Sequence, residues 1–396
     1  MRRFALALLA GACLPIAAPA HSATSGCAFI AAETPTAKRS ADESPAATNG
    51  AERLYGALVR IRAVAAPNAR SNSTVGRERE GTGAVIGNDG LILTIGYLVL
   101  EAEDVKITDW RGRSYPARVL ANDHATGLSL LKTSSPLDVL PVPLGDSSKL
   151  SNGETVLIAG WGGIPDTARA YVVSRRPFTS NWEYMLDEAI FTSPATTGWS
   201  GAALVDSKGT IVGVGSLLLP EAIPGRQELW GNMFVPIDAL KPILGDLIKT
   251  GRRQSAPRPW LGVGADEVFG RLIVSRVSPD GPADSAGVKK GDIILGVGND
   301  PVSSRAELYE KLWSTNRAGD VIKLRVLQGA EIREVDVKSI GRDDYFRTTG
   351  SGRPPGTARL LETPSLFYPR RCTGGMDHSA DGSLTGATYA AHPSSR

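Results

Sequence analysis

The chain has 396 residues, 42% of them hydrophobic and 21% charged, with a formal net charge of +3. That length exceeds one ordinary domain and suits two or three, and the composition rules out a wholly disordered chain. So small a net charge, with arginine pairs scattered and no basic run, argues against nucleic-acid binding.

Residues 1–22 read as an export signal. Arg2 and Arg3 give a positive start, residues 4–18 an apolar stretch, and Ala18-Pro19-Ala20 a small-residue cleavage site. Gly11 and Pro15 interrupt the apolar run, which is too short to span a membrane. The expected compartment is the bacterial periplasm. A lipid anchor at Cys13 or Cys27 is a minor alternative, since neither has a branched apolar residue three positions earlier. Removing the signal leaves Cys27 and Cys372; an oxidising compartment permits a disulfide between them, and two free thiols stay equally open. No Cys/His spacing suggests a metal site, and no cofactor is expected.

Residues 23–52 read as a linker, rich in Ala, Thr, Ser, Pro and Glu over 31–50. From Leu54 the texture changes to short apolar runs at 57–64, 83–86, 91–94, 105–108, 128–131 and 155–159, with Gly, Asn and Asp between them. Asn88-Asp89-Gly90 is a hairpin signal, and residues 206–209 separate runs at 203–205 and 211–214. A strand–turn pattern this long predicts antiparallel barrels or a sandwich. Residues 237–250 have helical spacing in Leu240, Ile243, Leu244, Leu247 and Ile248, and Gly251 ends that helix. Residues 251–258 read as a second linker, 259–342 as a second compact unit, and 343–396 as a disordered tail.

The order of short motifs carries a family resemblance over residues 54–250. Gly81-Thr82-Gly83-Ala84-Val85-Ile86 precedes Leu91-Ile92-Leu93-Thr94; Leu128-Ser129-Leu130-Leu131-Lys132 and Leu144-Gly145-Asp146-Ser147 follow; then come Gly198-Trp199-Ser200-Gly201 and Phe234-Val235-Pro236-Ile237-Asp238. Together they resemble the HtrA/Deg serine proteases. The resemblance implies a mainly β fold, with a double β-barrel trypsin-like (chymotrypsin-fold) domain over 53–250. It puts Ser200 in the nucleophile position and the Gly198 N–H in the oxyanion hole. It also exposes a fault, because the histidine position holds Tyr97 and the aspartate position holds Gly127. A serine nucleophile needs a base to take its proton and an acid to orient that base. Tyrosine, with a free pKa near about 10, is protonated at neutral pH.

Of the four histidines only His124 lies within this half, three residues before the lost aspartate, where a surface-loop role is the plainer reading. Trp199 stands between Gly198 and Ser200, whose N–H groups the resemblance makes the oxyanion donors, and has the bulk to crowd the cleft. Trp161, Trp182 and Trp199 are candidates for a peptide-binding surface, with ordinary barrel packing the alternative for each.

Residues 259–342 resemble the PDZ domain of the same family. Pro259-Trp260-Leu261-Gly262-Val263 opens the unit, a strand is expected at 272–277, and Gly281-Pro282-Ala283, Ala286-Gly287-Val288 and Gly291-Asp292-Ile293 follow. A helix is expected at 305–313, with strands at 322–327 and 333–337. The resemblance makes Leu261, Gly262 and Val263 N–H donors to a peptide C-terminal carboxylate, in a domain where the peptide adds to a strand edge. Leu308 and Leu312, at i and i+4, would line the pocket for its last side chain, or else pack in the core.

Three functions compete. The favoured one is a non-catalytic pseudoprotease that binds peptides or unfolded proteins in envelope quality control or signalling. The second is a serine endopeptidase using Ser200 with a non-standard base such as His124. A homo-oligomer, a trimer as is common in the resembling family, is a third element that the residues leave open.

Overall fold

The computed structural model describes residues 45–347. Both cysteines of the expected mature chain, the export segment and the other three histidines lie outside the described residues.

Helix α1 (Pro45–Ala57) leads into the first barrel and buries Leu54 and Ala57 against it. It begins inside the stretch expected to be linker. The barrel comprises β1 (Leu58–Ala65), β2 (Glu78–Val85), β3 (Leu91–Ile95), β4 (Ala102–Thr108), β5 (Ser114–Asp123) and β6 (Leu128–Thr133), with the short helix α2 (Asn72–Val75) after β1. It closes in the order β1-β2-β3-β6-β5-β4. Ile61, Ile92, Leu93, Ile107, Leu128 and Leu130 are fully buried, and each contributes about 1.5–3 kcal/mol of transfer free energy.

The second barrel comprises β7 (Thr155–Ala159), β8 (Thr167–Ser180), β9 (Tyr184–Ser193), β10 (Ala203–Val205), β11 (Ile211–Leu219) and β12 (Gly231–Pro236), closing as β10-β11-β12-β9-β8-β7. One apolar cluster runs from the first barrel into the second, through Leu93, Phe191, Val214 and Met233. The expected helix over 237–250 divides. A 3-10 turn covers Ile237–Ala239, and α3 is confined to Leu244–Thr250, capped by Gly251. Pro242 explains the break, since it has no N–H to donate and restricts the residue before it.

The remaining elements are β13 (Pro259–Trp260), β14 (Val263–Val268), β15 (Arg271–Val277), α4 (Pro282–Ser285), β16 (Ile293–Val297), β17 (Asp300–Pro301), α5 (Arg305–Thr315), β18 (Val321–Gln328), β19 (Glu331–Lys338), β20 (Ile340–Gly341) and α6 (Arg342–Arg347). The main sheet runs β14-β15-β16-β18-β19, around a separate core that includes Leu272, Val274, Leu324 and Val326. The expected tail therefore starts too early, because α6 occupies 342–347. Its Tyr345 is buried against Trp260, ring centroids 4.5 Å apart, and donates to the Pro279 carbonyl at 2.9 Å. The expected linker 251–258 is also pinned. Arg253 makes a bidentate pair with buried Asp123 at 2.7 Å on each oxygen, and the Arg258 guanidinium lies 4.4 Å from the centre of the Trp313 ring.

Candidate functional site

Two places in this fold bring chemically capable groups together. The first is the seam between the barrels. Ser200 follows buried Trp199, and its carbonyl accepts from Thr82 N of β2 at 2.9 Å, tying the serine turn to the first barrel. Tyr97 sits on the 3-10 turn after β3 (Gly96–Leu98). Its hydroxyl lies 3.0 Å from Ser200 Oγ and 3.0 Å from the Ser216 carbonyl. A phenol has one hydrogen. Pointed at the Ser216 carbonyl, it leaves the phenol oxygen to accept from serine; pointed at Ser200, it occupies a serine lone pair. In neither arrangement does the phenol accept the serine proton outright.

Gly127 is tied to the residue before Tyr97, since Gly96 N donates to the Gly127 carbonyl at 2.7 Å. It has no side chain to offer, and its φ of +77° is a conformation that disfavours any residue with a Cβ. The Tyr184 hydroxyl, donating to Thr126 O at 2.7 Å, stands 3.2 Å from where a Cβ at 127 would be. His124 is engaged elsewhere. Its Nε2 is 3.0 Å from Asp343 of α6, and its ring stacks on Phe346. Burial lowers its pKa, partly offset by Asp343.

The Gly198 N–H donates to Thr196 Oγ1 at 3.4 Å. Asp166, from the 3-10 turn Ile164–Asp166, packs its carboxylate beside Gly160, Gly162 and Gly198; a Cβ at 198 would come 2.7 Å from Asp166 Oδ1. Burial raises the Asp166 pKa, opposed by the Gly162 N–H. The sequence reading missed this acid, whose sole trace is the glycine-rich run before it. Trp199 is packed inside, with its indole N–H donating to the Ser216 carbonyl at 3.1 Å. That carbonyl therefore receives both Trp199 and Tyr97. Trp161 is partly exposed beneath the Arg60 guanidinium, and Trp182 stacks on Tyr184.

The second place is the turn Leu261-Gly262-Val263. Gly262 has φ +80°, which lets three consecutive N–H groups converge. They converge on a carboxylate of the second barrel. Glu183 Oε1 accepts from Leu261 N at 3.2 Å, Gly262 N at 2.6 Å and Val263 N at 2.9 Å, and Oε2 accepts from Leu261 N at 2.9 Å. Glu183 is 7% exposed. Burial pushes its carboxyl up to about 7, against the three N–H groups and Arg342, which favour the anion. Leu308 and Leu312 are both buried in the adjoining core. Nothing in the sequence marks Glu183, because what distinguishes it is contact with residues nearly eighty positions away.

Comparison with known proteins agrees with this division. Residues 81–214 match the trypsin-like peptidase domain and residues 259–339 the PDZ domain. The chain is 30% identical over 299 residues to a probable periplasmic serine endoprotease DegP-like of Pseudomonas putida, covering 70% of this chain and 60% of that protein. It is 27% identical over 348 residues to the serine endoprotease DegS of Escherichia coli, covering 83% and 94%. It is 30% identical over 278 residues to the putative serine protease HhoA of Synechocystis, covering 63% and 68%.

Proposed function

The chain belongs to the HtrA/Deg family, a trypsin-like serine protease domain joined to one PDZ domain, and we propose that this member binds peptides without hydrolysing them. The observation that carries the reading is the 3.0 Å approach of the Tyr97 hydroxyl to Ser200 Oγ, with a glycine at position 127. Acyl transfer needs an imidazole, or an equivalent base, at the place the phenol takes. Loss of a triad serine or histidine costs about a millionfold in turnover, a figure taken from subtilisin. Asp166 beside Gly198 supports the same reading, since its carboxyl group, when ionised, opposes the negative charge that an oxyanion hole must stabilise.

The PDZ turn supplies the binding chemistry. Three N–H groups on a glycine-hinged turn suit a carboxylate, and a C-terminal peptide presents one. The periplasmic naming of relatives and the signal-like residues 1–22 support an exported, envelope-facing protein of quality control or signalling. No helix among the described residues is long and apolar enough to cross a membrane. A second reading, a serine endopeptidase using Ser200 with an unorthodox base, is favoured by the endoprotease names of the relatives. A fluorophosphonate probe and casein hydrolysis separate the two. The binding reading expects no labelling and identical casein traces for the wild type and Ser200→Ala; Ser200-dependent labelling and cleavage would establish the endopeptidase.

A further inference from the structure

The β8–β9 hairpin reaches out of the second barrel between β14 and α5. Its strands pair Ser180 with Tyr184, leaving Asn181, Trp182 and Glu183 as the tip. Three-residue hairpin tips commonly end in a left-handed residue, and glycine is the usual choice. Here that residue is Glu183, at φ +55°. A glutamate held left-handed and buried is costly twice over, and the surroundings of its carboxylate explain why it is tolerated. The three converging N–H groups solvate the carboxylate that burial strips of water.

The rest of the tip is held as firmly. The Tyr309 hydroxyl of α5 donates to the Ser180 carbonyl at 2.6 Å, and Glu183 N donates to that hydroxyl at 3.2 Å. Asn181 Nδ2 donates to Asp266 of β14 at 3.0 Å, and the Asn181 carbonyl packs against Gly264 of the same strand. Met185, two residues past the glutamate, packs against the PDZ core. The hairpin thus brings to the turn what a C-terminal peptide would bring, a carboxylate, and sets an apolar side chain against the core of the same domain.

We propose that the β8–β9 hairpin is the resident ligand of the PDZ domain, with Glu183 standing in for a terminal carboxylate. External peptides then bind only by displacing it. The proposal rests on the peptide-binding reading of the PDZ turn. A tethered ligand acts at an effective concentration on the order of millimolar, so an external peptide sees an affinity reduced by the small fraction of open molecules. Displacement also has a route to the barrel seam, because Tyr184 follows Glu183 directly and its hydroxyl holds the carbonyl of Thr126, the neighbour of Gly127.

The test uses the full chain, its Glu183→Ala variant and the closer-shaped Glu183→Gln, each checked for folding by circular dichroism. The ligand is a fluorescein-labelled random octapeptide pool with free C-termini, run beside the same pool amidated. The proposal expects either substitution to raise affinity for the free-carboxylate pool by about tenfold or more, with no gain for the amidated pool. It also expects amide exchange at Leu261, Gly262 and Val263 to accelerate by roughly tenfold or more in the variants. If wild type and variants bind the free-carboxylate pool equally, and better than the amidated one, the resident-ligand proposal fails while peptide binding stands. If no form distinguishes the two pools, the peptide-binding reading falls and the proposal falls with it. Unchanged exchange in correctly folded variants overturns the proposal whatever the peptides do.

Discussion

Tyr184 stands on the ground that an aspartate at position 127 would need. Its hydroxyl is 3.2 Å from where a Cβ on Gly127 would lie, and it is held there by the Thr126 carbonyl. The packing of the seam therefore disfavours a side chain at position 127, independently of which residue the gene encodes there.

Placing a histidine at 97 and an aspartate at 127 is not expected to produce hydrolysis. Gly127→Asp places a Cβ on a backbone at φ +77°, a strain of about 1–2 kcal/mol, against the Tyr184 ring. The double variant Tyr97→His with Gly127→Asp is expected to melt lower than wild type and to leave casein intact. Casein cleavage by that double variant would show that the seam tolerates a triad after all.

Tyr97 is expected to act as a structural bridge between the barrels. Tyr97→Phe removes the contacts to Ser200 Oγ and the Ser216 carbonyl and should cost about 1 kcal/mol in denaturant unfolding. Fluorophosphonate labelling of Ser200 should stay absent. A labelled Tyr97→Phe protein would mean that the phenol had been masking a competent nucleophile.

Trp199 should matter for stability more than for binding. It is 6% exposed with its indole N–H satisfied, so Trp199→Ala is expected to cost about 3–5 kcal/mol, and Trp199→Phe markedly less. Chemical denaturation curves of the two variants decide this. A cost below about 1 kcal/mol for the alanine would place the indole in a surface role instead.

The docked hairpin gives PDZ ligand binding a pH dependence of known sign. Between the ordinary glutamate value of 4.5 and about 7, docked Glu183 holds more protons than released Glu183. Docking therefore weakens as pH rises through that window and levels off above it, so affinity for free-carboxylate peptides should rise over the same range. Arg342 and Asp343 of α6, Tyr309 of α5, Arg258 of the connecting segment, Asp123 at the end of β5 and His124 of the turn after it surround the site. His124 works in the opposite direction. Burial lowers its pKa, so acidification below its ordinary 6.5 weakens the packing that buries the ring, an effect partly offset by Asp343, which favours the protonated form. Titrating the labelled pool at several pH values should show the rise in wild type and a flatter line in Glu183→Gln.

Tyr309 should hold the two domains together through the hairpin. Tyr309→Phe removes its bonds to Ser180 O and Glu183 N and is expected to weaken docking by about 1–2 kcal/mol. Limited trypsin digestion reads this out, as Arg252, Arg253 and Arg258 lie in the connecting segment. Equal cleavage rates in wild type and variant would show that docking does not depend on the phenol.

Local pattern determined a great deal about this protein. The mainly β trypsin-like and PDZ architecture could be read from runs such as Leu91-Ile92-Leu93-Thr94 and turns such as Asn88-Asp89-Gly90, because strand alternation and turn chemistry are set by neighbours in the chain. Tyr97, Gly127 and Ser200 each lie inside a short motif, so the expectation that they meet could be framed from pattern alone, and Tyr97 does lie against Ser200. Pattern failed where a distant partner decides. The segment 342–347 looks like polar tail until Trp260 and Pro279 give Tyr345 a place to pack, and residues 251–258 look like free linker until Asp123 binds Arg253. Only the tertiary structure brought Asp166 to Gly198, Tyr184 to Gly127 and Glu183 to the turn at Leu261. An acidic side chain in a hairpin tip reads as a solvated surface group. Burial against three N–H groups makes it a ligand, and burial is a property of the whole fold.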